Sequence, residues 1–329
     1  MREHWARIAT LVFSGGIAGA LFLLGLADAA IATLDPHGAA AAGTQASPAL
    51  IVCGGLGLAA IWPQARVALA RLLPIDPESP VHVLALVLTL TLFGLQLQSA
   101  LSNVLSQEAG SAQPLNRLDL VLGELPFLLI AIAGVGLVVR RNPSAAADRL
   151  GYRRPAWWHV VLALAAAGGF FALAIGFDQL GQVLTPHIAQ EVNSANTRIF
   201  GDLTADPTGV VTLAVAAGVC EEALFRGALQ PRLGILWTSL VFASVHTQYG
   251  LSFDALAVFV LALGLGLLRR FLSTTASTIC HVAYDLLAGF GLSGLFLTLG
   301  GVVEGLLTLL LLGALLLHLR RRAAATASS

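Results

Sequence analysis

The chain has 329 residues, of which 57% are hydrophobic and only 11% charged, with a mean hydropathy of +0.83. Soluble domains run near half apolar and about a quarter charged, so a water-soluble globular protein is excluded and most of the chain belongs in lipid. Its 18 basic and 18 acidic residues cancel, which removes any overall electrostatic pull toward nucleic acid.

A spanning helix needs about 20 mostly apolar residues. Runs of that kind fall, in chain order, near 8–32, 46–63, 81–99, 118–139, 159–177, 208–230, 233–249, 252–268, 274–290 and 292–319. The expected fold is therefore all-α, a polytopic transmembrane bundle of about ten spans, with the short second and eighth runs also suited to a re-entrant or interfacial segment. Arg2 and Arg7 precede the first run, which ends in Ala27-Asp28-Ala29. That is the outline of a cleavable signal peptide, but the length of the run and the further spans after it favour an uncleaved helix.

The arginines test this count independently, because inner loops hold the excess of basic residues. With the N-terminus inside, Arg2, Arg7, Arg66, Arg71, the cluster from Arg140 to Arg154, Arg226, Arg232, Arg269, Arg270 and the run from Arg320 to Arg322 fall at inner ends. Only Arg117 and Arg198 fall at outer ones. Both termini are thus expected in the cytoplasm. Every basic residue is Arg, in a chain rich in Ala, Leu and Gly; this looks like a GC-rich bacterial genome, and so a bacterial inner membrane.

The cationic segment from Arg140 to His159, with Pro143 and Pro155 and ending in Trp157-Trp158, reads as a linker running into an interfacial aromatic anchor. It divides the chain into N-terminal membrane helices over 1–145, a second membrane unit over 146–322 and a disordered tail over 323–329. The polar stretch from Asp178 to Pro207 suits an external loop with an amphipathic surface helix. Cys53, Cys220 and Cys280 all fall in apolar runs, where packing as small hydrophobes is the default and a disulfide framework is not supported.

Ionisable side chains within a spanning helix are costly unless paired or hydrated, which makes each one a functional candidate. The sixth, seventh and ninth runs hold most of them: Glu221, Glu222 and Arg226; His246; His281 and Asp285. With a turn at Pro231, a rise of about 1.5 Å per residue puts Glu222 roughly 13 Å and His246 roughly 20 Å above it. The same rise puts His281 about 10 Å and Asp285 about 16 Å above a start near Thr274. Three helices so deliver polar groups to one layer, and an aqueous cavity opening toward the cytoplasm is the expected container. Glu222 and Arg226, four apart, suit an ion pair, which leaves Glu221 as the freer carboxylate and a candidate general base for water. His246 could share that water, and His281 with Asp285 could stabilise an oxyanion or the departing amine. Blander roles stand beside these: Glu222 and Arg226 as a neutralising pair, and His246 as a buried histidine bonded to a carbonyl. Glu124 and Glu304 read as lone intramembrane acids without a matched partner.

The ordered set of Glu221-Glu222 with Arg226, Phe242 to His246, and His281 with Asp285 resembles the motifs of the CAAX protease and bacteriocin-processing (CPBP, or Abi) family of intramembrane peptidases. The resemblance covers roughly 150–290. It implies that Glu221 and His246 activate water while His281 and Asp285 form an oxyanion hole, and that the partner is a membrane-anchored or membrane-proximal peptide in the lipid bilayer. Eukaryotic members often carry Asn where Asp285 stands, and an ionised Asp cannot donate to an oxyanion. Metal-free hydrolysis, with no cofactor, is the expectation. The chain has no H-E-x-x-H, although Glu221, His246, His281 and Asp285 would make an acceptable zinc set. Two other classes stay open: a transporter or proton conduit, which would need polar groups at several depths, and a catalytically silent immunity or scaffold protein.

Overall fold

A computed structural model describes residues 2–34, 47–73, 75–102, 112–137 and 141–291, together with Leu105, Ala109 and Gly110. The expected span at 292–319, Glu304 and the tail at 323–329 lie outside them. Every long element is a helix, and no strand occurs among the described residues. In chain order they are α1 (Arg2–Leu34), α2 (Ser47–Ala59), α3 (Pro63–Leu69), α4 (Pro80–Leu101), α5 (Arg117–Gly134), α6 (Pro143–Leu150), α7 (Trp157–Leu184), α8 (Pro186–Thr204), α9 (Pro207–Glu222), a π-helical stretch (Ala223–Leu229), α10 (Gln230–Ser244), a 3₁₀ turn (Thr247–Tyr249), α11 (Phe253–Phe271) and α12 (Thr274–Gly289).

Side-chain oxygens set many of the starts. Ser79, Asn116, Asn142, Asp206, Ser252 and Ser273 each accept from a backbone N–H in the first turn of the helix they precede, satisfying donors that have no partner within the helix. Helices α3, α4, α6, α8, α9 and α10 also open with Pro in the first turn, where its missing N–H costs little.

By length and composition, four helices among the described residues are fit to cross a bilayer: His4–Leu34, Pro80–Ser99, Trp157–Leu184 and Pro207–Ser244. A fifth arises if Pro48–Ala59 and Pro63–Leu69, bent by 106°, count as one broken span. The bend falls in the second run, one of the two short runs for which a re-entrant or interfacial segment is the alternative to a span. The expected count of about ten is not reached on this measure, for local reasons. Arg117, Asp119 and Glu124 lie in α5, Asp254, Arg269 and Arg270 lie in α11, and α12 has 16 residues.

The stretch from α9 to α10 is a helix that doubles back. Gly234 has φ 77° and ψ 173°, a conformation open essentially to glycine alone. As a result the Phe225 and Phe242 rings lie 5.0 Å apart, whereas an unbroken helix would separate them by about 25 Å. The reversal expected at Pro231 therefore falls at Gly234. Pro231 stays inside the helix, and the hydrogen bond it cannot donate four residues back falls in the wide π stretch.

Around this hairpin, α9 packs on α12 and α5, α10 on α11, and α7 on both α11 and α12. A core of Ala131, Val135, Leu150, Ala223, Phe225, Val241 and Phe242 fills the centre, so α5, which lies before the expected division at 145, shares one core with residues beyond it. Helices α1 and α2 pack on each other and on α4, which reaches α10. The amphipathic helix expected in the polar stretch is α8, lying on α7 and α9.

Gly234→Ala puts a Cβ into open space, with no atom within 4 Å, so its cost is purely backbone strain of about 1–3 kcal/mol. Thermal unfolding in detergent is expected to fall for Gly234→Ala and to hold for Gly176→Ala, a helical site that is equally uncrowded.

Candidate active site

The close approach of α9 and α12 assembles the charged cluster. A Cβ on Gly218 would lie 2.6 Å from Val282 Cγ2, and one on Gly289 would lie 2.6 Å from Val210 Cγ1. Glycine at these antiparallel crossing points lets the backbones meet, which brings Glu221 and Glu222 against His281. The start of α12 is tied down by Thr274, whose N–H donates to the Gly151 carbonyl and whose hydroxyl donates to the Leu150 carbonyl. Gly151 is the left-handed cap of α6 at φ 83°, and the Arg269 guanidinium lies directly over it, 2.6 Å from where a Cβ would stand.

His281 occupies the middle of three carboxylates. Its Nδ1 is 3.3 Å from Glu222 Oε1, while its Nε2 is 3.9 Å from Glu221 Oε2 and 3.6 Å from Asp285 Oδ2. Glu222 also faces Arg226, whose Nε lies 3.3 Å from Oε1, and both side chains are wholly buried. That pair is an ion contact off the hydrogen-bond line, since all three guanidinium nitrogens lack a hydrogen-bond acceptor. The Arg226 charge also lies 4.8 Å from the centre of the Phe242 ring, a cation–π contact. A carboxylate beside a guanidinium accepts, so Nδ1 of His281 is the donor and carries hydrogen. Nε2 then faces two acid oxygens beyond hydrogen-bond distance, and this crowding of acceptors favours a proton on one of them. That proton answers the problem of an aspartate at position 285: a donor exists on Nε2 or on a carboxyl oxygen.

His246 lies just past the last turn of α10. Its Nδ1 is 2.9 Å from the Phe242 carbonyl, which can only accept, so Nδ1–H donates and Nε2 of the neutral ring is the basic nitrogen. The hydrogen bond expected of an ordinary buried histidine is thus present, and it is compatible with a base. The Tyr249 ring stacks on His246 at 6.2 Å.

A cavity of about 480 Å³ is lined by Glu221, His246, His281 and Asp285. Glu222 and Arg226 do not line it; they lie behind His281 and hold it. Sequence reasoning missed Tyr249, Tyr284 and Asn196, which also line it; the tyrosines stand within three residues of His246 and Asp285, but chain proximity alone does not say which way a ring points. Glu124, read as an acid without a partner, lines the same cavity. Its neighbours in the cavity lie on helices far away in sequence, which no local spacing reveals. Among the described residues no group of three or more His, Cys, Asp or Glu side chains is gathered to hold a metal ion. No step is derived through a metal at Glu221, His246, His281 and Asp285.

The direction of the cavity differs from expectation. From the charged cluster its lining runs to Val210 at the start of α9, Leu115 and Leu120 at the start of α5, Gly289 at the end of α12, and Asn196 to Thr204 of α8. The arginines gather at the opposite end. Arg269 covers Gly151, and the Arg149 guanidinium is held below its ordinary pKa by burial and then by Arg232 and Arg141 nearby. The cavity therefore opens at the arginine-poor end and not toward the end assigned to the cytoplasm. Helix rise fixes depth along the axis but not which end is sealed; the close crossing at Gly218 and the Phe225–Phe242 core close the arginine-rich end.

Residues 204–287 match the model of a family described as Type II CAAX prenyl endopeptidase Rce1-like. This span holds all three motifs and leaves out Glu124. No curated protein and no solved structure gives a significant match.

Arg226→Met leaves the Glu222 carboxylate buried without its cation and is expected to cost about 3–5 kcal/mol. The double variant Glu222→Gln with Arg226→Met should recover most of that loss. Thermal unfolding in detergent checks both, and equal losses would mean the two groups are not coupled.

Proposed function

We propose, on the strength of the Rce1-like segment at 204–287 and the His281-centred cluster within it, that this integral membrane protein is an intramembrane endopeptidase. Its substrate is a membrane-associated peptide or lipidated protein, hydrolysed by water that Glu221 and His246 activate. The single observation that carries the reading is that motif residues from α9, α12 and the end of α10 line one cavity.

In this reading a peptide carbonyl reaches the cavity with its oxygen toward His281 and Asp285. Water between Glu221 and His246 gives up a proton to that pair and attacks the carbonyl carbon. The proton shared by His281 and Asp285 supplies the donor to the developing oxyanion. The proton taken from water then passes to the departing amine. Glu222 and Arg226 serve by fixing the ring of His281, a positioning role. A proton conduit would need acids at several depths, whereas Glu124 joins the same cavity. Around the site we read a bundle of about ten helical segments in the bilayer, with both termini on the arginine-rich, cytoplasmic side of a bacterial inner membrane. The substrate then approaches from the outer leaflet side.

The test uses the purified protein in detergent with a peptide library. The wild type should cleave, and Glu221→Ala and His246→Ala should lose on the order of a hundredfold or more in rate. Equal cleavage by all three proteins would end the proposal, and loss on adding a strong chelator would bring a metal into the mechanism.

Orientation is checked separately, since Cys53, Cys220 and Cys280 are all buried. A membrane-impermeant thiol reagent applied to intact cells should label Asn193→Cys on exposed α8 and spare Ser144→Cys on exposed α6. The reverse pattern would invert the topology.

A further inference from the structure

Helix α5, outside the matched segment, brings an acid that water activation does not use. Glu124 lines the cavity together with Glu221, His281 and Asp285 and is within electrostatic range of all three. Glu124 Oε2 is buried with no hydrogen-bond donor, while Glu221 Oε2 and Asp285 Oδ2 make no hydrogen bond and face Nε2 of His281 at 3.9 Å and 3.6 Å. Glu221 itself is only 6% exposed. No arginine lines the cavity and the chain has no lysine; the basic side chain within range of Glu124 is His281, which Glu221, Glu222 and Asp285 already surround.

Buried acceptors without donors are costly, and native sites that carry them hold something else in their working state. Three acids lining one cavity with a single imidazole between them leave acceptors over, and these suit an alkylammonium group, a compact cation with three N–H donors. The approach agrees in sign. At the open end Asp119, Asp178, Glu191, Asp202, Asp206 and Asp254 stand against Arg117 and Arg198, and Arg117 is already paired with Asp206. An end with an excess of acid draws in the opposite charge.

We infer that the cavity selects peptides bearing an alkylammonium group close to the scissile bond, with Glu124 as the residue that reads it. A lysine side chain or a free amino terminus supplies the same chemistry. The inference deepens the endopeptidase reading by naming the substrate class.

Binding decides it without relying on turnover. Fluorescent peptides matched except for lysine against norleucine, and for a free against an acetylated amino terminus, are titrated into detergent-solubilised His246→Ala protein, with Glu124 intact or replaced in Glu124→Gln. With Glu124 intact, one of the two ammonium peptides should bind about tenfold more tightly than its neutral twin, the scale of a charge-assisted hydrogen bond. Which pair shows the difference names the source. In Glu124→Gln, an isosteric change, the ratio should fall to within about twofold. Equal binding of the twins, no measurable binding of any peptide, or a ratio that survives Glu124→Gln would each overturn the inference. If the wild type cleaves nothing while the Glu124-dependent preference stands, the endopeptidase reading fails and the binding site remains.

Discussion

Everything at the centre of this protein depends on one constraint: charge placed in hydrocarbon has to be matched by charge. Glu222 meets that constraint twice, taking Arg226 on one side and Nδ1 of His281 on the other. Both glutamate and arginine are wholly buried, so neither can borrow water. Once His281 is fixed through Nδ1, its other nitrogen is turned toward Glu221 and Asp285, and the crowding of acceptors there favours a bound proton. The chemistry proposed for the site thus grows out of a packing requirement, with the buried pair acting as the support for the reactive nitrogen.

The backbone makes the constraint possible. Two crossings lined by glycine, at Gly218 and Gly289, let α9 and α12 approach closely enough for side chains from both to meet. The reversal at Gly234 returns α10 alongside the π stretch, laying Phe242 over Arg226 and leaving His246 at the level of the acids. A straight continuation would have carried His246 about 36 Å from Glu222. The helix itself is the ordinary consequence of satisfying backbone groups in lipid; the special positions are the few glycines where it bends or touches.

Helix α5 ties the two halves of the chain together. It supplies Ala131 and Val135 to the same core as Phe225 and Phe242, and it supplies Glu124 to the cavity. The expected division at 145 thus separates residues that share one core and line one cavity. An acid on α5 enlarges an already negative pocket, and with the acid-rich mouth this gives the site a polarity that the three motifs alone do not have.

Sequence by itself determined that the chain is helical and membrane-embedded, because hydropathy is a local sum over about 20 residues. It determined the candidate residues as well: an acid or histidine inside an apolar run is conspicuous wherever the run ends up. Glu222 and Arg226 were legible as a pair since their partners lie one turn apart on the same helix. Only the tertiary structure decided that His281 sits among three acids, that Glu124 joins them, and that the cavity opens at the arginine-poor end. Those facts turn on which helices cross and where a glycine lets them touch or fold back. Such contacts join residues up to about 160 positions apart, where spacing along the chain carries no information about direction.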